Sequence, residues 1–517
     1  MNGAQALIRT LVANGVDTCF TNPGTSEMHF VAALDDVPDM RGVLGLFEGV
    51  CTGAADGYAR MAERSAATLL HLGPGLGNGI ANLHNARRAR VPLVNIVGDH
   101  ATYHTKFDAP LESDIAALAS NVSGWIRRST SPSAVAGDGA AAVAAAEGPP
   151  GQVATLILPA DVCWTEGAEP VGRARRPGSG QVPDAVVTGV LDALRSGEPA
   201  MILLGGSTLR EPGLVAASRC ARATGARLLA ETFPTRLTRG SGVPAVDRVA
   251  YLAELAALQF EGLRHLVLVD TAAPVSFFAY PDRPSSLVPD GCTVHTLASG
   301  SDDAVGALEH LADALGADQT VDRAPTGRPD RPTGDLTAET VCAALGATLP
   351  ENAVVSDEGA TGGIYAAGAT AGAPPHDWLT LTGGAIGQGI PVATGAAIAA
   401  PDRPVVNLQA EGSALYTLQG LWTQAREGLD VTTVILNNRS YAILNMELAR
   451  VGAGEPGPLA KRMLDLSGPD LDFMSMSEGL GVPAERAEDA EDFTAKLEKA
   501  IAEPGPHLIE AVVPAGF

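Results

Sequence analysis

Aromatic residues make up only 4% of the 517-residue chain, and Lys and Arg number 35 against 59 Asp and Glu. With few large rings, packing falls to small residues. Ala is abundant and Gly occurs 59 times, a mix that suits α/β layers in which helices lie close to a sheet. The shortage of positive charge leaves a formal net charge of −24. A surface this acidic repels phosphate backbones and anionic lipid, so nucleic acid and membrane surfaces are not expected as partners. A small anionic ligand would depend on local donors: backbone amides, helix N-termini or a bound cation.

Cysteine is sparse and unpatterned. Cys19, Cys51, Cys163, Cys220, Cys292 and Cys342 form no Cys-x-x-Cys pair and no zinc spacing, and a chain of this size needs no staples. Free thiols in a reducing compartment are expected. No apolar run reaches membrane-spanning length, and Met1-Asn2-Gly3-Ala4-Gln5 opens a helical pattern containing Arg9 rather than a leader. A cytoplasmic location follows as the expectation. A hydrophobic share of 46% and a charged share of 18% describe a globular protein, and the length implies about three domains.

Strand-like runs at 16–21, 42–47, 66–71, 91–97 and 154–158 alternate with helix-like segments at 27–34, 49–62 and 77–90. Apolar runs of this length, separated by helices and Gly-rich turns, predict a parallel sheet covered on both faces. The stretch 169–184, rich in Pro, Gly and Arg, reads as a linker, and 320–333, with three prolines among charges, as another. Between them, strands are predicted at 200–204, 227–230 and 265–269, and after them at 353–356, 405–409, 431–436 and 507–513. The expected architecture is three doubly wound parallel-sheet α/β domains at 1–168, 185–318 and 334–517, the outer two most alike in rhythm.

Three segments carry chemistry. The first is Gln409-Ala410-Glu411-Gly412-Ser413, with Asn437-Asn438 at the end of the following strand. The C-terminal edge of a parallel sheet is where open α/β sheets bind ligands. A carboxylate from Glu411 and an amide oxygen from Asn438, completed by diphosphate oxygens and water, would satisfy octahedral Mg²⁺. The amides of Gly412 and Ser413 at a helix start suit a diphosphate. The second segment is Leu46-Phe47-Glu48-Gly49, leading into Ala54-Ala55-Asp56-Gly57-Tyr58-Ala59-Arg60. The third is Leu381-Thr382-Gly383-Gly384-Ala385-Ile386-Gly387-Gln388-Gly389-Ile390-Pro391, whose glycines permit close approach of backbone to a ligand.

Together these segments resemble the thiamine diphosphate (ThDP) enzymes of the acetolactate synthase large-subunit and benzoylformate decarboxylase group, and the likeness spans the chain. A strand ending in Gly-Asp-Gly and followed by Asn-Asn is that family's cofactor motif. Here Ala410 and Glu411 replace its first two residues, and Asn438 stands 27 residues after Glu411. The resemblance implies that Glu48 hydrogen-bonds the aminopyrimidine ring and activates the cofactor. It implies that the Gly384 carbonyl and the Ile386 side chain hold the cofactor bent, and that Glu411, Asn438 and the Ser440 carbonyl bind Mg²⁺. Pro23, Asn78, Thr361, Gly412, Ser413, Ser440 and Tyr441 are implied to line the cofactor site. The family places Glu48 and the diphosphate site on different subunits, which implies a homodimer or homotetramer.

Within the group, Asn22-Pro23-Gly24-Thr25-Ser26-Glu27 is similar to a turn of benzoylformate decarboxylase, and His71 stands where that group has an active-site histidine. Gly73-Pro74-Gly75 is closer to the synthases, but Pro110-Leu111 replaces their Phe-Gln pair, so Leu111 is expected to line a pocket for a bulkier or apolar substrate. An imidazole beside the reacting carbon is useful for proton transfer, whereas Thr25 can only orient. Nothing in the middle domain is specific enough to assign FAD. The implied activity is decarboxylation of a 2-oxo acid with aldehyde release, or carboligation. The alternatives are acetolactate synthase proper, a catalytically silent homologue of regulatory role, and an unrelated nucleotide-binding α/β enzyme.

Overall fold

Strands buried on both faces build the centre of the first sheet, as their mainly apolar runs require. In the computed structural model, which describes residues 1–281 and 283–515, β1 (Thr18–Thr21), β2 (Arg41–Leu44), β3 (Ala66–Leu70), β4 (Leu93–Asp99), β5 (Trp125–Arg128) and β6 (Val153–Pro159) form a six-stranded parallel sheet. Every residue of β3, β4 and β6 is buried. The strand order is β2-β1-β3-β4-β6-β5.

The central segment contributes β7 (Ala200–Leu204), β8 (Arg227–Ala230), β9 (Leu237–Arg239), β10 (Asp247–Arg248), β11 (His265–Val269) and β12 (Thr293–Ala298). Five of these form a parallel sheet in the order β10-β8-β7-β11-β12. The remaining strand, β9, leaves it and pairs antiparallel with β14 (His376–Thr380) of the third sheet. The other strands of that sheet are β13 (Val354–Glu358), β15 (Val405–Ala410), β16 (Val431–Asn437), β17 (Ala484–Ala487) and β18 (His507–Val512).

Read outward from β14, the third sheet runs β14-β13-β15-β16-β18-β17, which repeats the order of the first sheet strand for strand. The helix after the second strand of each sheet, Glu48–Ala62 in one and Gly389–Ala399 in the other, packs against its counterpart. The contact is backbone to backbone. A β-carbon at Gly57 would strike the Val392 carbonyl, and one at Gly395 the Ala54 carbonyl, so glycine is required at both places.

Several elements differ from the sequence expectations. The helix after β3 starts at Leu72 rather than five residues later, carrying Gly73-Pro74-Gly75 as its first turn. Strand β5 and the helix Pro132–Ala146 were not expected. All six cysteines are free, and all but Cys292 are buried. Among the described residues no helix is long and apolar enough to cross a membrane.

Candidate active site

In both outer sheets the chain turns one way after the first strand and the other way after the third. The crevice between those two strands is a topological switch point at the C-terminal edge. In the first domain the residues delivered there are 22–27 after β1 and His71 after β3, with Glu48 after β2. In the third domain they are 359–363 after β13 and Glu411 after β15, with the glycine loop after β14.

His71 is held by a carboxylate. Its Nδ1 lies 2.8 Å from Oε2 of Glu27, which is 1% exposed, while the imidazole is 23% exposed. Glu27 also accepts from the Gly24 amide (2.8 Å) and the Ser26 hydroxyl (2.6 Å). Missing β-carbons make the room: one at Gly24 would enter the imidazole ring, and one at Gly98 would meet the Glu27 carboxylate. With Nδ1 engaged, Nε2 makes no hydrogen bond among the described residues. Leu72, the next residue, takes φ +51, a left-handed conformation costing a non-glycine residue about 1–3 kcal/mol. Thr25 is exposed on the turn, and its neighbour Ser26 is the residue that approaches Nδ1, at 3.3 Å. Pro23 is half-buried in the same turn. Glu27 stood inside the quoted motif without a role; burial of an acid beside a histidine is a tertiary fact that the sequence does not state.

Glu48 opens its helix and is 8% exposed. Its Oε2 accepts from Asn78 Nδ2 at 3.0 Å, and Gly75 leaves space against Oε1. Asn82, one turn beyond Asn78, donates to the carbonyls of both Gly49 (2.8 Å) and Gly387 (3.2 Å), joining the start of this helix to the glycine loop of the third domain.

In the third domain Glu411 is 2% exposed at the first position of helix Glu411–Thr417. The Ser440 amide donates both to Glu411 Oε1 (3.0 Å) and to Asn438 Oδ1 (2.9 Å), so the two oxygens converge on one point. Asn437 does different work: its amide donates to the buried Glu510 (2.7 Å), and its oxygen accepts from Arg439, fixing the left-handed turn at Arg439 (φ +59) that carries Asn438. The Tyr441 ring covers Gly412, where a β-carbon would collide with it. Ser413 is buried and Thr361 half-buried at the same edge. In the glycine loop, Gly384 has φ +73 and lies beneath the Phe277 ring of the central domain, and Ile386 is half-buried. Two residues without an assigned role hold this loop. Glu358 binds its amides from below, and Asp56 joins Gln388 Nε2 (2.8 Å) to Arg60, which donates to the Thr380 carbonyl (2.8 Å).

Two family profiles match the chain: the thiamine pyrophosphate enzyme N-terminal TPP binding domain over residues 1–119 and the C-terminal TPP binding domain over 360–511. The chain is 62% identical to the "Putative acetolactate synthase large subunit IlvX" of Mycobacterium tuberculosis (strain ATCC 25618 / H37Rv), over 99% of both chains. The chain belongs to the thiamine pyrophosphate enzymes. It is also 29% identical to benzoylformate decarboxylase of Pseudomonas aeruginosa over 98% of both chains. The Rhodococcus jostii RHA1 thiamine diphosphate-dependent 4-hydroxybenzoylformate decarboxylase shares its fold, with a TM-score of 0.85 at 24% identity over 99% of each chain.

The residues present fit this family's cofactor and a cation. Burial pushes the Glu411 carboxyl pKa up, opposed by amides of the 438–440 turn, and no cationic side chain pairs with it among the described residues. A buried carboxylate without a counter-charge, beside an amide oxygen, has the hard-oxygen chemistry that suits a divalent cation. Among the described residues no group of three His, Cys, Asp or Glu side chains is arranged for a metal, so a cation here would draw most ligands from the backbone and the diphosphate. The central domain does not fit a dinucleotide in the same way. After β7, the Gly206 amide already donates to Glu231 (3.3 Å) and the Ser207 amide to Asp270 (2.9 Å), placing carboxylates where a phosphate would sit. A cavity of about 1090 Å³ lies elsewhere, at the seam of the three domains. Its arginines are engaged in domain contacts, such as Arg90 with Asp270 and Arg236 with Asp377. Leu111 is 39% exposed near the first-domain crevice, where Ser113, two residues on, packs on Gly73.

Proposed function

We propose that this is a ThDP- and Mg²⁺-dependent enzyme that removes the carboxyl group of a 2-oxo acid and then releases an aldehyde or joins the remaining fragment to a second carbonyl compound. The observation that carries the reading is the pairing of Glu48 and the Glu27–His71 couple at one switch point with an uncompensated buried carboxylate, Glu411, at the matching point of the third domain.

The cofactor, when bound, supplies the electron sink that loss of CO₂ requires. The chain does the rest. Glu411, Asn438 and the Ser440 carbonyl would hold the cation, and Gly412, Ser413 and Thr361 would bind the diphosphate. Gly384, Ile386, Pro23 and Tyr441 would hold the rings. Asn78 fixes Glu48 Oε2, and Glu48 would hold the aminopyrimidine ring through its carboxyl group. His71 Nε2 moves a proton at the substrate carbon, and Glu27 keeps the ring in the tautomer that presents Nε2. Thr25 orients substrate at the mouth, and Leu111 lines the side-chain pocket.

The active assembly in this reading is a homodimer or homotetramer with sites between subunits. Exposed Leu46, Leu415 and Tyr416, next to the catalytic segments, support it, because apolar groups at a polar crevice call for cover. The test is CO₂ release from a panel of 2-oxo acids by the wild type and Glu48→Gln. The variant is expected to lose roughly 10²–10⁴-fold while still binding the cofactor. Equal turnover by both proteins contradicts the assignment. Acetolactate from pyruvate without aldehyde would mark a synthase.

A further inference from the structure

Glu358 closes β13 with its side chain turned under the glycine loop. It is 4% exposed, and its carboxylate accepts four hydrogen bonds. The amides of Gly387 (2.7 Å) and Gln388 (3.3 Å) reach Oε1, and the Gly389 amide (2.7 Å) and Gln409 Nε2 (2.8 Å) reach Oε2. All four partners are N–H donors, so the group is held as a carboxylate: a protonated oxygen would set its O–H against an N–H. Burial pushes its pKa up and the donors oppose that shift. No cation pairs with it among the described residues.

A buried anion is a poor way to gain stability, since an apolar side chain would fill the space without a desolvation cost. What four charge-assisted bonds determine is position. Three of the donors are consecutive amides that leave Gly384–Ile386 and enter helix Gly389–Ala399. The fourth, Gln409, belongs to β15, whose next residues are Ala410 and Glu411. One carboxylate therefore ties the ring-holding loop to the strand that presents the cation ligand. Gln388 extends the tie to Asp56, on the helix that begins with Glu48.

We propose that Glu358 is a positioning residue for the cofactor: it presets the 384–386 loop against β15 before the cofactor enters. This rests on the ThDP reading of the site. If Glu358 only capped the helix Gly389–Ala399, its loss would lower stability and leave cofactor affinity in the folded protein unchanged.

The test uses full-length protein and Glu358→Gln, which turns one N–H₂ toward an N–H donor. Amide exchange at 387–389 is measured without cofactor, and ThDP binding with Mg²⁺ by calorimetry. The expected result is loss of protection at these amides and a rise in ThDP Kd of about tenfold or more, equivalent to losing one or two hydrogen bonds to a charged group. Unchanged protection, or a Kd within about twofold of wild type, overturns the proposal. If Glu358→Gln does not fold, Gln409→Met removes a single donor and is expected to raise Kd about threefold or more; an unchanged Kd overturns the proposal. Failure of the wild type to bind ThDP would instead overturn the functional reading and this inference with it.

Discussion

Glu27 and His71, 44 residues apart in sequence, are joined by a 2.8 Å hydrogen bond from Nδ1 to Oε2, the acid buried and the ring half open to the crevice. With the Glu27 carboxylate accepting at Nδ1, the bond selects the imidazole tautomer whose Nε2 is the acceptor. His71→Ala is expected to lower kcat roughly 10²–10⁴-fold. Glu27→Gln, which keeps the shape but loses the charge, should cost roughly 10–100-fold through His71 alone. Steady-state kinetics and imidazole nitrogen chemical shifts check this. Wild-type kcat in Glu27→Gln would remove Glu27 from the account.

Glu411 is the one carboxylate at the proposed cation site. Glu411→Gln keeps the volume and removes the charge, so Mg²⁺-dependent cofactor binding should weaken about tenfold or more. Titrating Mg²⁺ at fixed ThDP measures the effect. Equal metal dependence in wild type and variant would place the cation elsewhere.

The glycine contact between the two matching helices predicts intolerance of a single methyl group. Gly395→Ala would force a β-carbon onto the Ala54 carbonyl and should destabilise the protein by roughly 1–3 kcal/mol, read by thermal or denaturant unfolding. Gly428→Ala offers a control of a different kind, because open space surrounds it and only its left-handed φ of +62 is strained.

His376 is 2% exposed with Nδ1 donating to the Pro374 carbonyl (2.8 Å), and burial pushes its pKa down to about 4. An unfolded histidine binds its proton near pH 6.5, so between about 6.5 and 4 the unfolded state holds more protons than the folded one. Stability then falls as pH drops through that window, by up to about 3 kcal/mol from this group. His376→Gln should lack that part of the slope in a series of unfolding curves at different pH.

The layered fold was legible because strands buried on both faces, such as 91–97 and 431–436, are short, mainly apolar and β-branched runs between helical segments. Strand β5 was not legible: Trp125-Ile126-Arg127-Arg128 is a half-exposed edge strand whose charges break the pattern. The short strand β9 was hidden for a different reason, since its membership of the third sheet depends on a long-range pairing with β14. At the site, Glu411 and Asn438 were read from strand-end chemistry, and Glu48 and His71 from the family resemblance. Glu27, Glu358 and Asp56 were left without roles because their importance lies in what they touch. Glu358 contacts amides 29 to 31 residues away, and Asp56 meets Gln388 from another domain. Glu411 stands where the family motif has a shorter acid, and in the structure its longer side chain reaches the Ser440 amide beside Asn438.

The most direct test is calorimetric titration of the cofactor-free protein with ThDP, with and without Mg²⁺. The account predicts binding that requires the metal. No binding at millimolar ThDP with Mg²⁺ present would contradict it and mark the chain as a member of the family that has lost the cofactor.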